Sequence, residues 1–435
     1  MEKFSSYKDS GVKWLGEIPE GWEMRKTLFC LSMPITDGPH ETPQLHEEGI
    51  PFVSAEAVSC GNGRIDFDYI RGYISKEFYN ECCKKYIPKL HDIYMIKSGA
   101  TTGKVALVDS DRIFTIWSPL AVFRCDESIM YYDYMFYVLQ STLYQQQVQL
   151  GWSYGTQQNI GMRTLEKLKV PVPPFNEQQN IASFLDNIVG KIDEIIAQQK
   201  KMIELLNERK QIIINNAVTK GLDPNVKMKD SGVDWIGEIP EGWEVISIKH
   251  IIKFINGYAF DSNKFKNEGE IPVIRIGDIS EGKINLDDIV YVSRRKELDS
   301  YLTKQGDLLI AMSGATTGKV GFDTTGGKYI NQRVGAIRSN NQKLVFYWLN
   351  STYFKEYVLL SALGSAQPNI SSNGISNFQI CLPKEGDINS IVLYIEEEIG
   401  KIDQIVKVAQ KQITLLQERK QIIINEVVTG KVKVS

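Results

Sequence analysis

Two stretches of the chain carry apolar residues every three to four positions, and the rest carries them in short runs broken by turn residues. In the first stretch Leu185 and Ile192 fall at d positions of a heptad and Val189 and Ile196 at a positions. The seam continues through Ile203, Leu206, Ile213 and Ala217. The second seam runs Ile395, Ile399, Ile402, Val406, Ala409, Ile413, Leu416, Ile423 and Val427. A 3.5-residue period held over about four heptads, with Gln, Lys and Glu between, predicts two coiled-coil helices. Pro173-Pro174-Phe175 stops the preceding strand, Asn176 with Gln179 fits a capping box, and Gly221 with Pro224 ends the first helix. Lys210 and Lys420 take a positions, where a polar residue costs stability and fixes register. Two seams of equal length predict helices that pack on each other antiparallel, each of about 40 residues and roughly 60 Å.

The short runs read as strands: GIPFVSAEAV (49–58), GRIDFDYI (63–70), DIYMIKSG (92–99) and KVALVD (104–109). EIPVIRIGDI (270–279), KINLDDIVYV (283–292), DLLIAMSG (307–314) and KVGFD (319–323) match them further on, and helices are expected near 131–144 and 343–360. This correspondence belongs to an internal repeat. KDSGVKWLGEIPEGWE (8–23) returns as KDSGVDWIGEIPEGWE (229–244), SGATTGKV occurs at 98–105 and 313–320, and the GKID…ERKQIIIN…VT helix at 190–219 and 400–429. The fold class is therefore α/β (α+β), two duplicated mixed domains on two antiparallel coiled-coil helices with an approximate twofold relation. The expected boundaries are a first domain at 1–175, a first helix at 176–221, a second domain with its lead-in at 222–384 and a second helix at 385–435.

Composition changes this picture little. The 435 residues are 43% hydrophobic and 24% charged with a net charge of −3, which excludes a disordered tail, a collagen-like repeat and a histone-like polycation. The charge is uneven, with 13 basic and 16 acidic residues in 27–174 against 16 and 12 in 249–383. Six cysteines without a CxxC pair or companion histidine read as reduced thiols, and no apolar run approaches the roughly 18 residues of a membrane span. A soluble cytoplasmic protein with no membrane partner is expected.

Candidate chemistry is sparse. GATTGK (99–104 and 314–319) resembles a phosphate-cradling loop, but it is one residue short of GxxxxGK[ST]. Val105 and Val320 replace the Mg²⁺-binding hydroxyl, and a strand pattern follows where a helix should start. A turn between strands, with its lysine on a DNA phosphate, is the expectation. Val172-Pro173-Pro174-Phe175 resembles the (N/D)PP(F/Y) element of N-methyltransferases, with valine where the amide or carboxylate is essential. The four histidines lack metal-ligand spacing, and no acyl-transfer triad or paired-carboxylate site is found. The chain reads as non-catalytic, with no cofactor of its own.

Together the SGVxWxGEIPEGWE lead-in, SGATTGK, the QxNI segments (157–160 and 367–370), PPFNEQQNIASFLD and GKID…LLxERKQ resemble the specificity subunit of type I restriction-modification systems over almost the whole chain. The resemblance implies that each domain reads one half of an asymmetric bipartite site in double-stranded DNA. It also implies that the helices set the unread spacer and dock two methylation subunits. A partner adenine N6-methyltransferase would hold S-adenosylmethionine, and an ATP-dependent restriction subunit would hold ATP and Mg²⁺. Glu177, Gln178, Asp193, Glu208, Arg209, Asp403, Glu418 and Arg419 are then the candidates for partner contact. The second junction, CLPKEGDINSIVLYIEEE, departs from PPxxEQ, which puts equal contacts to the two methylation subunits in question.

Segments identical in both domains cannot distinguish two half-sites, so base reading is expected in the divergent stretches 28–89, 148–158, 251–304 and 359–366. Candidates are Arg64, Arg71, Lys84, Lys85, Trp152, Tyr154, Gln157 and Gln158 in the first domain. Arg275, Arg294, Arg295, Lys296 and Arg333 are those of the second, and Lys104 and Lys319 are set aside for phosphates. Two other readings stay open at this point: a coiled-coil adaptor joining two protein-binding domains, and an N-methyltransferase or NTPase with eroded motifs.

Overall fold

A computed structural model describes residues 2–12, 15–154, 157–361 and 368–434. The chain forms two compact units, Met1–Gln199 with Gln410–Ser435, and Lys200–Ala409. Each apolar seam is one unbroken helix, Phe175–Lys220 and Glu385–Val428, so each unit holds a globular α/β body and part of both helices. The first helix starts one residue earlier than expected. The Pro174 carbonyl accepts from Glu177 and Gln178 N–H at 2.9 and 3.1 Å, which leaves Asn176 inside the first turn and not at the cap. At the other end Gly221 takes φ +73°, the left-handed turn that terminates a helix.

The seam residues bury as the heptads require. In the first unit Val189, Ile192 and Ile196 share a core with Ile423 and Val427, and in the second Ala217 shares one with Ile395. Both a-position lysines find a carboxylate on the facing helix. Lys420 Nζ lies 2.7 Å from each oxygen of Asp193 in the first unit, and Lys210 pairs with Asp403 in the second. The partner number falls from 420 to 403 as the first helix advances from 193 to 210, so the helices run antiparallel.

In the first body a four-stranded sheet has the order Thr36–Asp37, Leu120–Phe123, Ile93–Ile96, Val105–Leu107. A three-stranded sheet stands beside it, Tyr73–Ile74, Ile50–Val53, Thr115–Ile116. The strand Ile93–Ile96 is apolar throughout because both faces are covered: Ile93 and Met95 join the core shared with the helices, Tyr94 and Ile96 a second core. The second body repeats this around Leu308–Ala311, with Leu308 and Ile310 on one side and Leu309 and Ala311 on the other. Its sheet has six strands, in the order Lys253–Asn256, Val334–Arg338, Leu308–Ala311, Val320–Phe322, Gly282–Ile284, Ile279–Ser280.

Three local expectations change. The helices near 131–144 and 343–360 are each two helices, Tyr132–Gln140 with Thr142–Leu150, and Gln342–Leu349 with Thr352–Ser361. Ser141 and Ser351 break them, because each hydroxyl accepts a backbone N–H three residues on, from Tyr144 at 3.2 Å and Phe354 at 3.3 Å. The run at 49–58 is a strand only to Val53, after which Ala55–Cys60 is helical. The run at 63–70 makes a 3-10 turn at Phe67–Tyr69, which the Asp66 carboxylate caps by accepting from Asp68 N–H at 3.0 Å.

Both copies of the IIIN segment seat a helix end on a body. Asn425 Oδ1 accepts from Thr142 N–H at 2.6 Å and its Nδ2 donates to Thr142 Oγ1 at 2.7 Å; Asn215 grips Thr352 in the same way. The lead-in completes the seat. Trp22 and Pro19 pack on Gly430, where a Cβ would fall 2.3 Å from the proline ring, and Trp243 and Pro240 pack on Gly221. The shared GEIPEGWE is thus a structural element.

Candidate nucleic-acid interface

SGATTGK forms the turn of an antiparallel hairpin in each unit. In the first, Gly99 and Gly103 take φ +99° and +95°, a region open to glycine and strained for other residues. The turn's backbone N–H groups are used internally: Gly99 donates to Gln158, Thr102 to Gly99, Gly103 to Ile96 and Lys104 to Thr101, at 2.8–3.2 Å. A phosphate cradle needs those groups free. The nucleotide-loop reading therefore fails on hydrogen bonding as well as spacing.

Two further segments frame each turn. The QxNI segment pairs across it, Ser98 with Asn159 and Ser313 with Asn369. A short loop closes the other side, where Pro119 O accepts from Lys97 N–H at 2.7 Å and Arg333 O from Met312 N–H at 2.9 Å. Gly38 and Gly257 cross these loops so closely that a Cβ would lie 2.0 Å from the Ile116 or Asn331 carbonyl oxygen.

A buried ion pair that sequence reasoning missed anchors the frame. Asp92 accepts two bonds from Arg124, both 2.7 Å, and Asp307 two from Arg338, both 2.7 Å. In the first unit Tyr86 also donates to Asp92, and burial drives the phenols of Tyr86 and Tyr94 well above their usual range. A signal was present: an aspartate stands six residues before the serine of SGATTGK in both repeats.

The structure sorts the base-contact candidates by what they already hold. Arg64 lies 3.4 Å from Asp109 and over the Phe136 ring, and Arg71 bonds Glu56 at 2.6 Å and stacks on Trp117. Lys84 pairs with Glu81 and Lys85 with the fully buried Asp37. Arg275 is tied to Asp278 and to the Asp288 carbonyl, Arg294 to Asp299. Arg295 lies 5.2 Å over the Tyr258 ring. Lys104 reaches only the Ser59 carbonyl at 3.4 Å. Lys296, Lys319 and Arg333 are exposed with no carboxylate partner among the described residues.

Trp152 packs half-buried on the first core, and Gln157 and Gln158 are exposed. Tyr154 pairs through its backbone with Gln158, its side chain lying outside the described residues. Gln367 and 362–366 of the last divergent stretch also lie outside them. The frame therefore gathers Lys104, Gln158 and, through its stacking on Trp117, Arg71 in the first unit and Lys319 and Arg333 in the second, while Arg64 bridges Leu107 on the hairpin's second strand.

Among the partner-contact candidates, Gln178 is corrected. It is fully buried, its Oε1 accepts from Tyr131 N–H at 2.8 Å, and its Nε2 donates to the Ile129 and Pro173 carbonyls at 2.9 Å each. Ile388, buried in the second core, takes the corresponding place, so the second junction departs from PPxxEQ by replacing a polar clamp with apolar packing. Asp193 and Asp403 are held by the lysines of the facing helix. Glu177 is half-buried, and burial raises its carboxyl above the ordinary range. Glu208, Arg209, Glu418 and Arg419 are exposed. The helices also carry exposed apolar side chains beside the seam: Ile195, Leu415 and Ile422 in the first unit, and Met202, Leu205, Ile212, Ile405 and Val408 in the second.

Among the described residues no helix is long and apolar enough to cross a membrane. The chain is 28% identical to the specificity subunit of the type I restriction enzyme MjaVIII of Methanocaldococcus jannaschii, over 98% of this chain and 97% of that one. It is 22% identical to the EcoKI specificity subunit of Escherichia coli, over 90% and 85%. A chain from a solved type I R-M system, studied for complex assembly and conformational transition, superposes with a TM-score of 0.72 at 14% identity, covering 95% of this chain and 99% of that one. That likeness shows a shared fold. The family model for the type I restriction modification DNA specificity domain matches 41–205 and 240–421, once in each repeat and over most of the sequence. The chain belongs to the type I restriction modification DNA specificity family, and carries that domain twice.

Proposed function

We propose that each unit reads one half of an asymmetric bipartite site in double-stranded DNA, and that the chain directs catalysis by other subunits without performing it. One observation carries this reading. The two units repeat the same frame of SGATTGK turn, crossing glycine, closing loop and buried Asp–Arg pair, while the exposed residues on that frame differ. A duplicated scaffold with unlike surfaces suits two unlike half-sites, since phosphate contacts position and base contacts specify.

The exposed apolar side chains beside the seam support docking of two methylation subunits along the helices, with Glu208, Arg209, Glu418 and Arg419 at the rim. In this reading the unread spacer follows from the helices. S-adenosylmethionine belongs to the methylation subunits, ATP and Mg²⁺ to the restriction subunit, and the complex works in the cytoplasm. Purified with its methylation subunits, the chain should direct adenine methylation to a single two-part motif, read by single-molecule sequencing of treated DNA. Methylation scattered over contiguous single sites would refute the reading. Inserting one heptad into both helices should lengthen the spacer and leave both half-sites unchanged.

A further inference from the structure

The closing loop of the frame is a tripeptide whose turn-closing and hairpin hydrogen bonds recur in both units and whose side chains do not. In the first unit it is Trp117-Ser118-Pro119, in the second Asn331-Gln332-Arg333. Each is crossed by its glycine, Gly38 against the Ile116 carbonyl just before the loop and Gly257 against that of Asn331 within it, and each offers its third carbonyl to the residue before the SGATTGK serine. Each closes with the fourth N–H on the first carbonyl, Leu120 on Trp117 at 3.1 Å and Val334 on Asn331 at 2.8 Å. A position whose anchoring hydrogen bonds recur while its side chains vary is where a duplicated reader acquires two specificities. All six residues lie outside the stretches that sequence divergence singles out, although Arg333 is a candidate from its place just after SGATTGKV.

In the second unit the loop is built to present side chains. Asn331 Oδ1 accepts from Gln332 N–H at 2.9 Å and is used in holding the turn. Gln332 and Arg333 are exposed, and their side chains bond no other described residue. Of the five arginines in 222–384, Arg275, Arg294 and Arg338 are held by carboxylates. Arg295 is stacked on Tyr258, which leaves Arg333, among the described residues, as the guanidinium on the frame that neither a carboxylate nor a ring holds. A guanidinium fork matches O6 and N7 of guanine and a glutamine amide matches N6 and N7 of adenine, both on the major-groove edge.

We infer that Gln332 and Arg333 are specificity-determining residues of the second unit, reading an adenine and a guanine of one half-site. Trp117-Ser118-Pro119 has no such fork, so bidentate purine contacts of the other half-site come from elsewhere in the first unit. This rests on the proposed function, and the test separates the two.

The methylated motif of the complex is compared for the wild type, Q332A, R333A and R333K. R333A should relax one guanine position of one half-site, with discrimination there falling by about 5- to 150-fold, and Q332A one adenine of the same half. The other half-site should be unchanged. R333K should relax the guanine as R333A does, because lysine keeps the charge and loses the fork; recovery of the wild-type motif by R333K would show a phosphate contact and overturn the assignment. If the wild-type complex methylates no two-part motif, the proposed function fails. If it does and the R333A and Q332A motifs are unchanged at every position, this inference alone fails. Should a variant methylate nothing, its binding to duplexes substituted at each base pair decides, and affinity lost equally at all positions overturns the inference.

Discussion

Replacing Gln178 by alanine tests whether the PPFNEQ junction is a docking motif or a clamp. The side chain has no exposed surface and satisfies three backbone groups: the N–H of Tyr131 and the carbonyls of Ile129 and Pro173. Alanine leaves all three without a protein partner. A buried unsatisfied group costs about 1–3 kcal/mol, and a water entering the space can recover part of that. The local loss should be about 3–5 kcal/mol, concentrated where the helix Tyr132–Gln140 meets the start of Phe175–Lys220. Hydrogen exchange read by peptides should show protection falling in 129–140 and 173–185 and not in 340–361. Ile388→Ala should do the reverse, weakening the second unit by about 2–4 kcal/mol through a cavity. The argument is refuted if Gln178→Ala keeps wild-type protection and stability but no longer binds methylation subunits, for then the side chain must leave its pocket to meet them.

The facing lysine–aspartate pairs should behave as a register lock. Lys420→Asp and Asp193→Lys each destabilise by about 1 kcal/mol, the double variant recovers most of it, and a double-mutant cycle in thermal unfolding without coupling would remove the lock. Asn425→Ala and Asn215→Ala should each cost about 1–2 kcal/mol, the range of a lost helix cap, measured by urea unfolding. Burial pushes the Cys30 thiol up to about 11 and that of Cys381 up to about 12, whereas Cys60 is exposed. Iodoacetamide at pH 8 should therefore label Cys60 first by peptide mass spectrometry, and early labelling of Cys381 would mean that the second core opens.

Much of the scaffold was legible because it depends on period. Apolar residues at a and d positions announce the long helices, and the a-position lysines point to a register device, although only the folded structure shows that each meets the aspartate of GKID. Where a side chain competes with its own backbone, the pattern misleads. Ser141 and Ser351 lie in apolar, helix-like surroundings and still break the helix, because a hydroxyl on the third following N–H is invisible to hydrophobic period. Asp66 turns an apparent strand into a 3-10 turn in the same way. The candidate site was half legible. Divergence between the repeats is read over stretches, whereas a tripeptide such as 331–333 sits among matched residues and becomes visible only when its hydrogen bonds are compared with those of 117–119. Gln178 shows the converse error, since a motif polar in sequence is polar here in order to satisfy buried backbone.

Near-neutrality of the whole chain conceals how its cations are committed. In the first unit Arg64, Arg71, Lys84, Lys85, Lys97 and Arg124 all lie within ion-pair distance of a carboxylate. Not all of these can be redirected to DNA. Arg71 and Lys84 face half-exposed carboxylates, and exchanging such a partner for a phosphate costs about 1 kcal/mol or less. Lys85, Lys97 and Arg124 neutralise Asp37 and Asp92, whose side chains have no exposed surface, and removing them would strand a buried charge at about 3–5 kcal/mol. Among the described residues, Arg295, Lys296, Lys319 and Arg333 of the second unit have no carboxylate partner, as Lys104 has none in the first. In the proposed reading these second-unit cations reach phosphates without giving up an ion pair. About four phosphate contacts there would give a log–log salt slope near −3.6. In the proposed reading the first unit's half-site contacts draw on Lys104, on Arg71 and Lys84 at that small cost, and on uncharged groups such as Gln157 and Gln158, with the remaining phosphate neutralisation supplied by whatever subunit closes around the DNA.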